Sequence, residues 1–324
     1  MRRWWRTSGG ESALDPRFRG DDGEVGSAYG RRVSAIRDIA AAELAEPVEP
    51  RVSAMAAALA EQYPGAARAV LFYGSCLRQS ELDGLMLDFY LIVSSYDDAY
   101  PKKWMRTANR LIPPNVFPFE HQGLIAKYAV LSETDFAREC SGQAGSVSVW
   151  ARFAQPSRLV WAADDSARER VVGSVSEAAP TLFELTLPLI DGTAAPLDVW
   201  KRGFALTYGA ELRAERNDRS ASIVEADPQR YERLGRAILA ERPPVATRAG
   251  SARAWKRRQR KGKLLTAVRL VKASGTFAGG IDYLAWKINR HAGTAIEIKP
   301  WQRRWPLLAA VTLLPRLLRR GAIR

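Results

Sequence analysis

Two apolar runs separated by a polar loop form the clearest pattern in the chain. The first, residues 70–73, has the length and composition of a buried strand and ends at Gly74 and Ser75. The second, residues 85–93, carries one carboxylate, Asp88, in its middle. A charged side chain in such a run is costly unless it is compensated, and a metal ion is a common compensator. The pattern therefore predicts a strand, a Gly-Ser turn, a loop and a second strand with a candidate metal-binding acid.

The hydrophobic pattern around this stretch predicts an α/β domain over residues 31–165. Helical periodicity marks its start, and a second helix is predicted over residues 52–62. An apolar run at residues 124–131 predicts another strand of the same sheet, in which Lys127 is either turned inward or placed at a sheet edge. Residues 158–162 predict a further strand.

Different patterns lie on either side of this domain. Residues 166–299 are mainly helical in pattern, and we expect a smaller second domain there. A Pro-, Gly- and Arg-rich stretch at residues 242–263 predicts a basic linker, followed by a helix over residues 264–272. Residues 1–30 have no periodicity, and we expect a disordered N-terminal extension.

The segment over residues 300–324 mixes leucine, tryptophan and arginine and contains no acid. This composition is typical of an amphipathic helix that lies on an anionic membrane. A terminal helix packed on its own domain is the alternative.

Positive charge is concentrated in the same part of the chain. Residues 242–324 contain 20 Lys and Arg and two acids, a net charge of +18, so the rest sums to −4 against a total of +14. Such a surface fits nucleic acid or an anionic membrane. We expect the membrane, because basic helices rich in leucine and tryptophan suit lipid headgroups, whereas RNA binding favours aromatic side chains on a sheet.

Cysteine and histidine are too few for several kinds of site. Two of each are present, which excludes a disulfide framework and a thiolate zinc site and disfavours a histidine-based triad. The counts favour a cytoplasmic setting and metal chemistry through oxygen ligands. No uncharged apolar run approaches the roughly 18 residues needed to span a bilayer.

Several residues have the chemistry of phosphate binding. Gly74 and Ser75 can hold a triphosphate through backbone N–H and hydroxyl groups, and Arg78 in the same loop either assists or is solvated. A charged lysine at position 127, within an apolar strand, would be explained by a phosphate partner. It would also be explained by a place on an edge strand, where a charge hinders aggregation through strand pairing. Lys272 can contact a phosphate or complement a helix dipole.

Five short motifs in a fixed order cover about residues 70–290. They are Tyr73-Gly74-Ser75, Leu87-Asp88-Phe89, KYAVLS at 127–132, LTYGAELR at 206–213, and residues 272–280. In this order they resemble the mitochondrial-type CDP-diacylglycerol synthases, which are phosphatidate cytidylyltransferases of the translocator-maintenance type, and their bacterial relatives.

The resemblance implies a nucleotidyltransferase-fold domain with a mixed sheet, a winged-helix-like domain and a C-terminal amphipathic helix. It implies that CTP and phosphatidic acid give CDP-diacylglycerol and pyrophosphate with Mg²⁺, a step of phospholipid and cardiolipin biosynthesis. For a bacterial protein it implies peripheral attachment to the inner face of the plasma membrane. The implied catalytic residues are Asp88, Lys127 and Glu211, and the implied nucleotide-binding residues are Tyr73, Gly74, Ser75, Arg78 and Lys272.

The implied metal site differs from the pattern of the family. Asp88 is the first candidate ligand, but Tyr90 stands where many nucleotidyltransferases have a second acid, which favours one strong metal site. Glu211, in place of an aspartate, is the candidate second ligand, with Asp97 and Asp98 as rivals. A solvated surface carboxylate is the alternative for Glu211.

Two other functions are compatible with the same residues. One is a nucleotidyltransferase with a different acceptor, such as a phosphosugar or an RNA end. The other is a non-catalytic, basic membrane- or nucleic-acid-binding protein, in which the reduced acid motif no longer binds metal.

Overall fold

The computed structural model describes residues 35–79, 81–210, 219–241, 247–276 and 298–301. The predicted N-terminal extension, Glu211 and all but the first two residues of the predicted C-terminal tail lie outside these ranges.

A five-stranded mixed sheet forms the centre of the fold. Its strands are β1 (Ala67–Tyr73), β2 (Met86–Val93), β3 (Asn115–His121), β4 (Leu124–Ser132) and β5 (Ser157–Ala162). The order is β3-β4-β2-β1-β5, with β2 and β4 parallel and the other neighbours antiparallel. The predicted α/β class with a mixed sheet is confirmed, and β3 is a strand that the apolar pattern did not predict.

Helices occupy the remaining described segments. They are α1 (residues 35–44), α2 (Pro50–Glu61), α3 (Tyr96–Ala99), α4 (Lys103–Leu111), α5 (Glu133–Cys140), α6 (Trp150–Phe153), α7 (Asp165–Ser176), α8 (Ala178–Thr186), α9 (Pro196–Tyr208), α10 (Arg219–Glu225), α11 (Pro228–Glu241) and α12 (Arg248–Thr276). Short 3-10 turns occur at Ser75–Arg78 and Leu187–Leu189. Side chains cap some of the helix starts, as where the carboxylate of Asp164 accepts from the backbone N–H of Ala167.

Both faces of the sheet are buried, because alternate strand residues point to opposite sides. Val70 and Phe72 of β1 pack in a cluster with Met55 of α2. Leu71 belongs to a second cluster, which reaches through Trp150 of α6 into the helices that follow β5. Segments on both sides of the predicted boundary at residue 165 thus contribute to one apolar cluster.

The predicted basic linker is wrong over residues 248–263. These residues form the first part of α12, and the helix extends past the predicted limits of 264–272. The stretch is rich in Ala, Arg and Lys, which are strong helix formers, and two glycines do not outweigh them. Gly262 also has a packing role, since a Cβ there would lie 2.3 Å from the carbonyl oxygen of Ala210.

No helix in the described ranges is both long enough and apolar enough to cross a membrane. α12 has the length, with 29 residues, but it contains ten Lys and Arg residues.

Candidate functional site

The turn after β1 brings the backbone against the acid of β2. Gly74 has φ 95° and ψ −166°, a conformation that is nearly restricted to glycine. A Cβ at this position would lie 3.4 Å from Oδ2 of Asp88. The Gly-Ser turn and the acid, 14 positions apart in the sequence, are therefore direct neighbours.

Asp88 is paired with Lys127 on the neighbouring strand. The two residues are partners in the parallel register of β2 and β4, and Lys127 Nζ lies 2.9 Å from Asp88 Oδ1. β4 lies between β3 and β2, so the edge-strand explanation of Lys127 is wrong. The lysine instead neutralises the carboxylate that the sequence identified as costly to bury.

A cavity of about 170 Å³ adjoins this pair between the sheet, α6, α12 and the loops at residues 114 and 148. Four of its lining side chains are cations, and none of the described lining residues is acidic. The cations are Lys127, Arg152, Arg269 and Lys272. A small cavity with this lining suits an anion such as a phosphate group.

Tyr73 and Arg152 form one wall of the cavity. Burial, and then the carboxylate of Asp88, raise the pKa of the Tyr73 hydroxyl well above its usual value, while a hydrogen bond with the Arg152 side chain lowers it. Arg152 also donates to the carbonyl oxygen of Ser148. Tyr73 is thus a neutral hydroxyl that helps to position a guanidinium.

Arg269 and Lys272 of α12 also line the cavity and are held by backbone carbonyls and the hydroxyl of Ser148. Arg269 donates to the carbonyl of Pro113 at 2.7 Å and to the hydroxyl of Ser148 at 2.7 Å. Lys272 donates to the carbonyl of Pro114 at 2.8 Å and to that of Ile112. Burial, and then the charge of Arg269, lower the pKa of Lys272 to about 7. An anion in the cavity would offset the repulsion between the positive charges of Lys272 and Arg269.

Ser75 and Arg78 lie on the exposed 3-10 turn beside the acid rather than in the cavity lining. Burial raises the pKa of Tyr231 on α11 to about 12, and the charges of Arg230 and Arg78 act in the opposite direction. The turn therefore lies close to α11.

Cys76, in the same turn, has a structural environment. Its thiol lies 3.5 Å from the carbonyl oxygen of Met86. Burial, and then the charge of Asp88, raise its pKa, so the reactive thiolate is disfavoured.

The donor set at Asp88 fits a magnesium ion only if the substrate supplies further ligands. The described residues contain no group of three or more His, Cys, Asp and Glu side chains arranged to hold a metal. Tyr90, at the second acid position, is buried against Tyr73 and Phe153. Mg²⁺ is commonly bound by one or two carboxylates together with substrate phosphates and water, and one carboxylate meets the lower limit. The rivals Asp97 and Asp98 are engaged elsewhere, Asp97 with Arg110 and Asp98 with Ser95.

Arg152, Ser148 and Arg269 were not among the residues predicted from the sequence. Arg269 precedes Lys272 by three residues, and that spacing places both on one face of a continuous helix. The predicted helix over residues 264–272 already contains both residues, so this spacing is a signal that could have identified Arg269. Nothing in the sequence near α6 distinguishes Arg152 from a surface arginine.

A scan against protein-family models gives no match for this chain, and a search of curated proteins gives no significant match.

Proposed function

We propose that this chain is a CTP:phosphatidate cytidylyltransferase, built on a nucleotidyltransferase fold with a winged-helix-like second part. The observation that carries the proposal is the contact of the Gly74 turn with Asp88 next to a cavity lined by four cations. Such an arrangement offers backbone, a carboxylate and positive charge to a substrate rich in phosphate.

The proposed reaction is a displacement at the α-phosphorus of CTP. An oxygen of the lipid phosphate forms a new P–O bond, the bond between the α-phosphorus and the bridging oxygen breaks, and pyrophosphate leaves with the electron pair. The lipid phosphate is ionised at neutral pH, so no strong general base is required. The chain's contribution is therefore to position the two phosphates and to stabilise the charge that develops on the leaving group.

The turn and the strands have separate roles in this proposal. Gly74 and Ser75 hold the triphosphate through backbone N–H and hydroxyl groups, and Arg78 assists from the same turn. Asp88 holds Mg²⁺, which when bound neutralises the phosphates and polarises the P–O bond. Lys127 exchanges its pairing with Asp88 for a substrate phosphate. Glu211, outside the described residues, is the proposed second metal ligand.

The cavity is the proposed site of the acceptor phosphate. Its volume of about 170 Å³ is below the roughly 300 Å³ at which pockets begin to hold a drug-sized molecule, so a phosphate group fits where a nucleotide does not. Arg152, Arg269 and Lys272 would contact this phosphate, which extends the role assigned to Lys272 from the sequence.

A lipid substrate requires the chain to work at a membrane surface. We propose peripheral attachment to the inner face of a bacterial plasma membrane through residues 300–324, with phospholipid rather than nucleic acid as partner. Sedimentation with anionic liposomes, with and without this segment, tests the attachment. Equal pelleting of both chains would remove the tail from the proposal.

Pyrophosphate release by the purified chain tests the reaction. The assay contains Mg²⁺, CTP and phosphatidic acid in mixed micelles, and parallel reactions contain ATP, GTP or UTP. We expect release that requires both CTP and phosphatidate. No release with phosphatidate, together with a thermal shift on addition of a nucleoside triphosphate, would instead indicate a nucleotidyltransferase with another acceptor.

A non-catalytic anion-binding protein is the second candidate, and one observation favours it. Tyr90 fills the second acid position and Lys127 already neutralises Asp88, so the described residues are satisfied without a metal. Under this alternative no triphosphate and acceptor pair gives pyrophosphate release, and neither Mg²⁺ nor the Asp88→Asn substitution changes the thermal shift produced by inorganic phosphate.

A further inference from the structure

The outer face of α12 is not used by the proposed chemistry. Five cationic side chains line a shallow groove of about 450 Å³ along it: Arg253, Lys256, Arg257, Arg260 and Lys261. All five residues are exposed, and α12 contains no acidic residue that could neutralise them within the helix. This groove-lining set is called the α12 basic face below.

Packing of the opposite face of α12 against the rest of the chain keeps the α12 basic face turned outward. Ser251, Trp255, Arg258 and Gly262 are buried at intervals of three or four residues. The indole N–H of Trp255 donates to the carbonyl of Leu185 at 2.8 Å, and Arg258 donates to the carbonyl of Gly142 at 3.3 Å. Because the inner face is anchored, the outer cations form a preorganised array.

Apolar side chains continue the basic face toward the end of the helix. Leu264 lies four residues after Arg260, and Val268 lies four residues after Leu264. Leu264 is 68% exposed and Val268 is 36% exposed. Exposed aliphatic side chains beside a basic stripe are typical of helices that lie at the lipid-water interface. Nucleic acid uses the charges but offers no acyl layer to bury the leucine.

We propose that the outer face of α12 docks on an anionic phospholipid bilayer. The α12 basic face contacts lipid phosphates, and Leu264 and Val268 enter the boundary between headgroups and acyl chains. The site is distinct from the C-terminal tail, because residues 253–268 precede that segment. Charge complementarity identifies the partner, since each cation held near an anionic leaflet strengthens binding roughly fivefold.

The α12 basic face also suggests how a lipid substrate would reach the cavity. This connection rests on the proposed function, whereas the docking itself does not. Arg269 follows Val268 directly and turns inward to the cavity wall. A bilayer on the outer face would lie about one helix diameter, roughly 10 Å, from that wall. A lipid phosphate would therefore leave the membrane next to the cations proposed to bind it.

Binding to vesicles tests the docking surface in the full chain. The vesicles contain phosphatidylcholine and phosphatidylglycerol, without phosphatidate or CTP. Lys256→Gln, Arg257→Gln and Arg260→Gln are combined in one variant, in which glutamine preserves helix propensity. We expect its affinity to fall on the order of a hundredfold. The matched control combines Arg168→Gln, Lys201→Gln and Arg202→Gln, exposed positions of α7 and α9, and should retain affinity. Equal losses in both variants would overturn the proposal.

A label on α12 reports the contact even where the tail dominates the affinity. An environment-sensitive dye on Leu264→Cys should shift to shorter wavelength on these vesicles and be quenched by lipids brominated near the headgroup. The same dye on Arg168→Cys should remain in water. A solvent-like signal from position 264 on vesicle-bound protein would refute the docking. So would salt-dependent RNA binding that is lost in the α12 variant while vesicle binding is unchanged.

Vesicle binding and pyrophosphate release test the docking surface and the proposed function independently. Vesicle binding is measured without either substrate, so it can succeed where pyrophosphate release fails. Pyrophosphate release in detergent micelles does not require a bilayer, so it can succeed where docking fails.

Discussion

Asp88 of β2 and Lys127 of β4 lie side by side on parallel strands, with Oδ1 and Nζ 2.9 Å apart. Their side chains are 22% and 26% exposed, which places the pair at the border between the core and solvent. Because Lys127 already neutralises the charge of Asp88, the pair is stable without a metal in the unliganded chain. A phosphate that arrives with a cation could satisfy both residues at once, because the lysine would turn to the phosphate and the acid to the cation.

Replacing the acid by its amide tests this exchange. Asp88→Asn preserves the shape of the side chain and removes its charge, so Mg²⁺-dependent pyrophosphate release should fall by about a hundredfold or more. The free energy of unfolding should change by no more than about 1 kcal/mol, because solvent screens a partly exposed pair. Release assays and urea denaturation measure the two quantities.

Asp83→Asn is the matched control in the loop before β2. Asp83 pairs with Arg51 at 2.8 Å and is 63% exposed. This variant loses a carboxylate and an ion pair near the same turn, and it should retain full activity. Undiminished release from Asp88→Asn would end the assignment of Asp88 as a metal ligand.

Gly74→Ala should affect both stability and triphosphate binding. The backbone conformation at Gly74 costs a residue with a Cβ about 1–3 kcal/mol. The added methyl group would also lie 3.4 Å from Asp88 Oδ2, in the space where backbone and phosphate would meet. We expect a lower free energy of unfolding and weaker binding of CTP in calorimetry.

Gly84→Ala separates the two effects. Gly84 has φ 74°, and a Cβ there would have no neighbour within 4 Å. It should lose stability through backbone strain and keep its affinity for CTP. Equal losses of affinity in both variants would show that the effect at Gly74 is general destabilisation.

The strands and the Gly-Ser turn could be predicted because their signals are local. The apolar runs that became β1, β2 and β4 alternate between two buried faces, and Gly74 breaks the first run where the backbone needs a glycine. The apolar run around Lys127 indicates that a charged side chain is costly there, but it does not identify Asp88 as the partner. The pairing depends on the parallel register of β2 with β4, which sequence spacing does not determine.

The cation-lined cavity could not be predicted because its parts meet only in the folded chain. Arg152 lies on a helix of four residues, too short for a periodic pattern. Arg269 and Lys272 reach the sheet because α12 is continuous, whereas glycine and charge in its first half had suggested a linker. Packing of Trp255 and Gly262 explains why the helix continues, and packing is invisible to local propensity.

A buried ion pair between distant segments should contribute strongly to stability. Arg230 of α11 binds Glu43 of α1 through two contacts, at 2.6 and 3.0 Å, and donates to the carbonyl of Ala154 at 3.2 Å. Arg230→Ala leaves the Glu43 carboxylate buried and unpaired, so we expect a loss of about 3–5 kcal/mol in the free energy of unfolding. Thermal and urea denaturation measure it.

Arg236→Ala is the control on the same helix. Arg236 pairs with Glu232 at 2.7 Å, but its side chain is 75% exposed. Its loss should cost less than about 0.5 kcal/mol. A similar cost for both substitutions would mean that Arg230 contributes no more than a surface pair.

Lys272 should make stability depend on pH in a defined window. Burial, and then the charge of Arg269, lower its pKa from 10.5 to about 7 in the folded chain. Between these values the unfolded chain binds more protons than the folded chain, so stability rises with pH across the window. Below about pH 7 both states are protonated and the contribution is constant. Lys127, Arg152 and Arg269 also line the cavity, so the measurement must isolate Lys272 by difference.

Lys272→Met isolates this contribution because it removes the charge and retains an unbranched chain. The stability of the wild-type chain relative to this variant should increase from about pH 7 to pH 10.5, with a slope of up to about 1.4 kcal/mol per pH unit. Lys263→Met, the same substitution at an exposed position of the same helix, is the matched control, and the two pH profiles are compared. A flat difference for Lys272→Met would mean that its ammonium is solvated or already paired with an anion. In that case phosphate could not bind more tightly by raising the pKa of Lys272 and returning a proton to its amine. The pH dependence of phosphate binding would then be the same in the wild-type chain and in Lys272→Met.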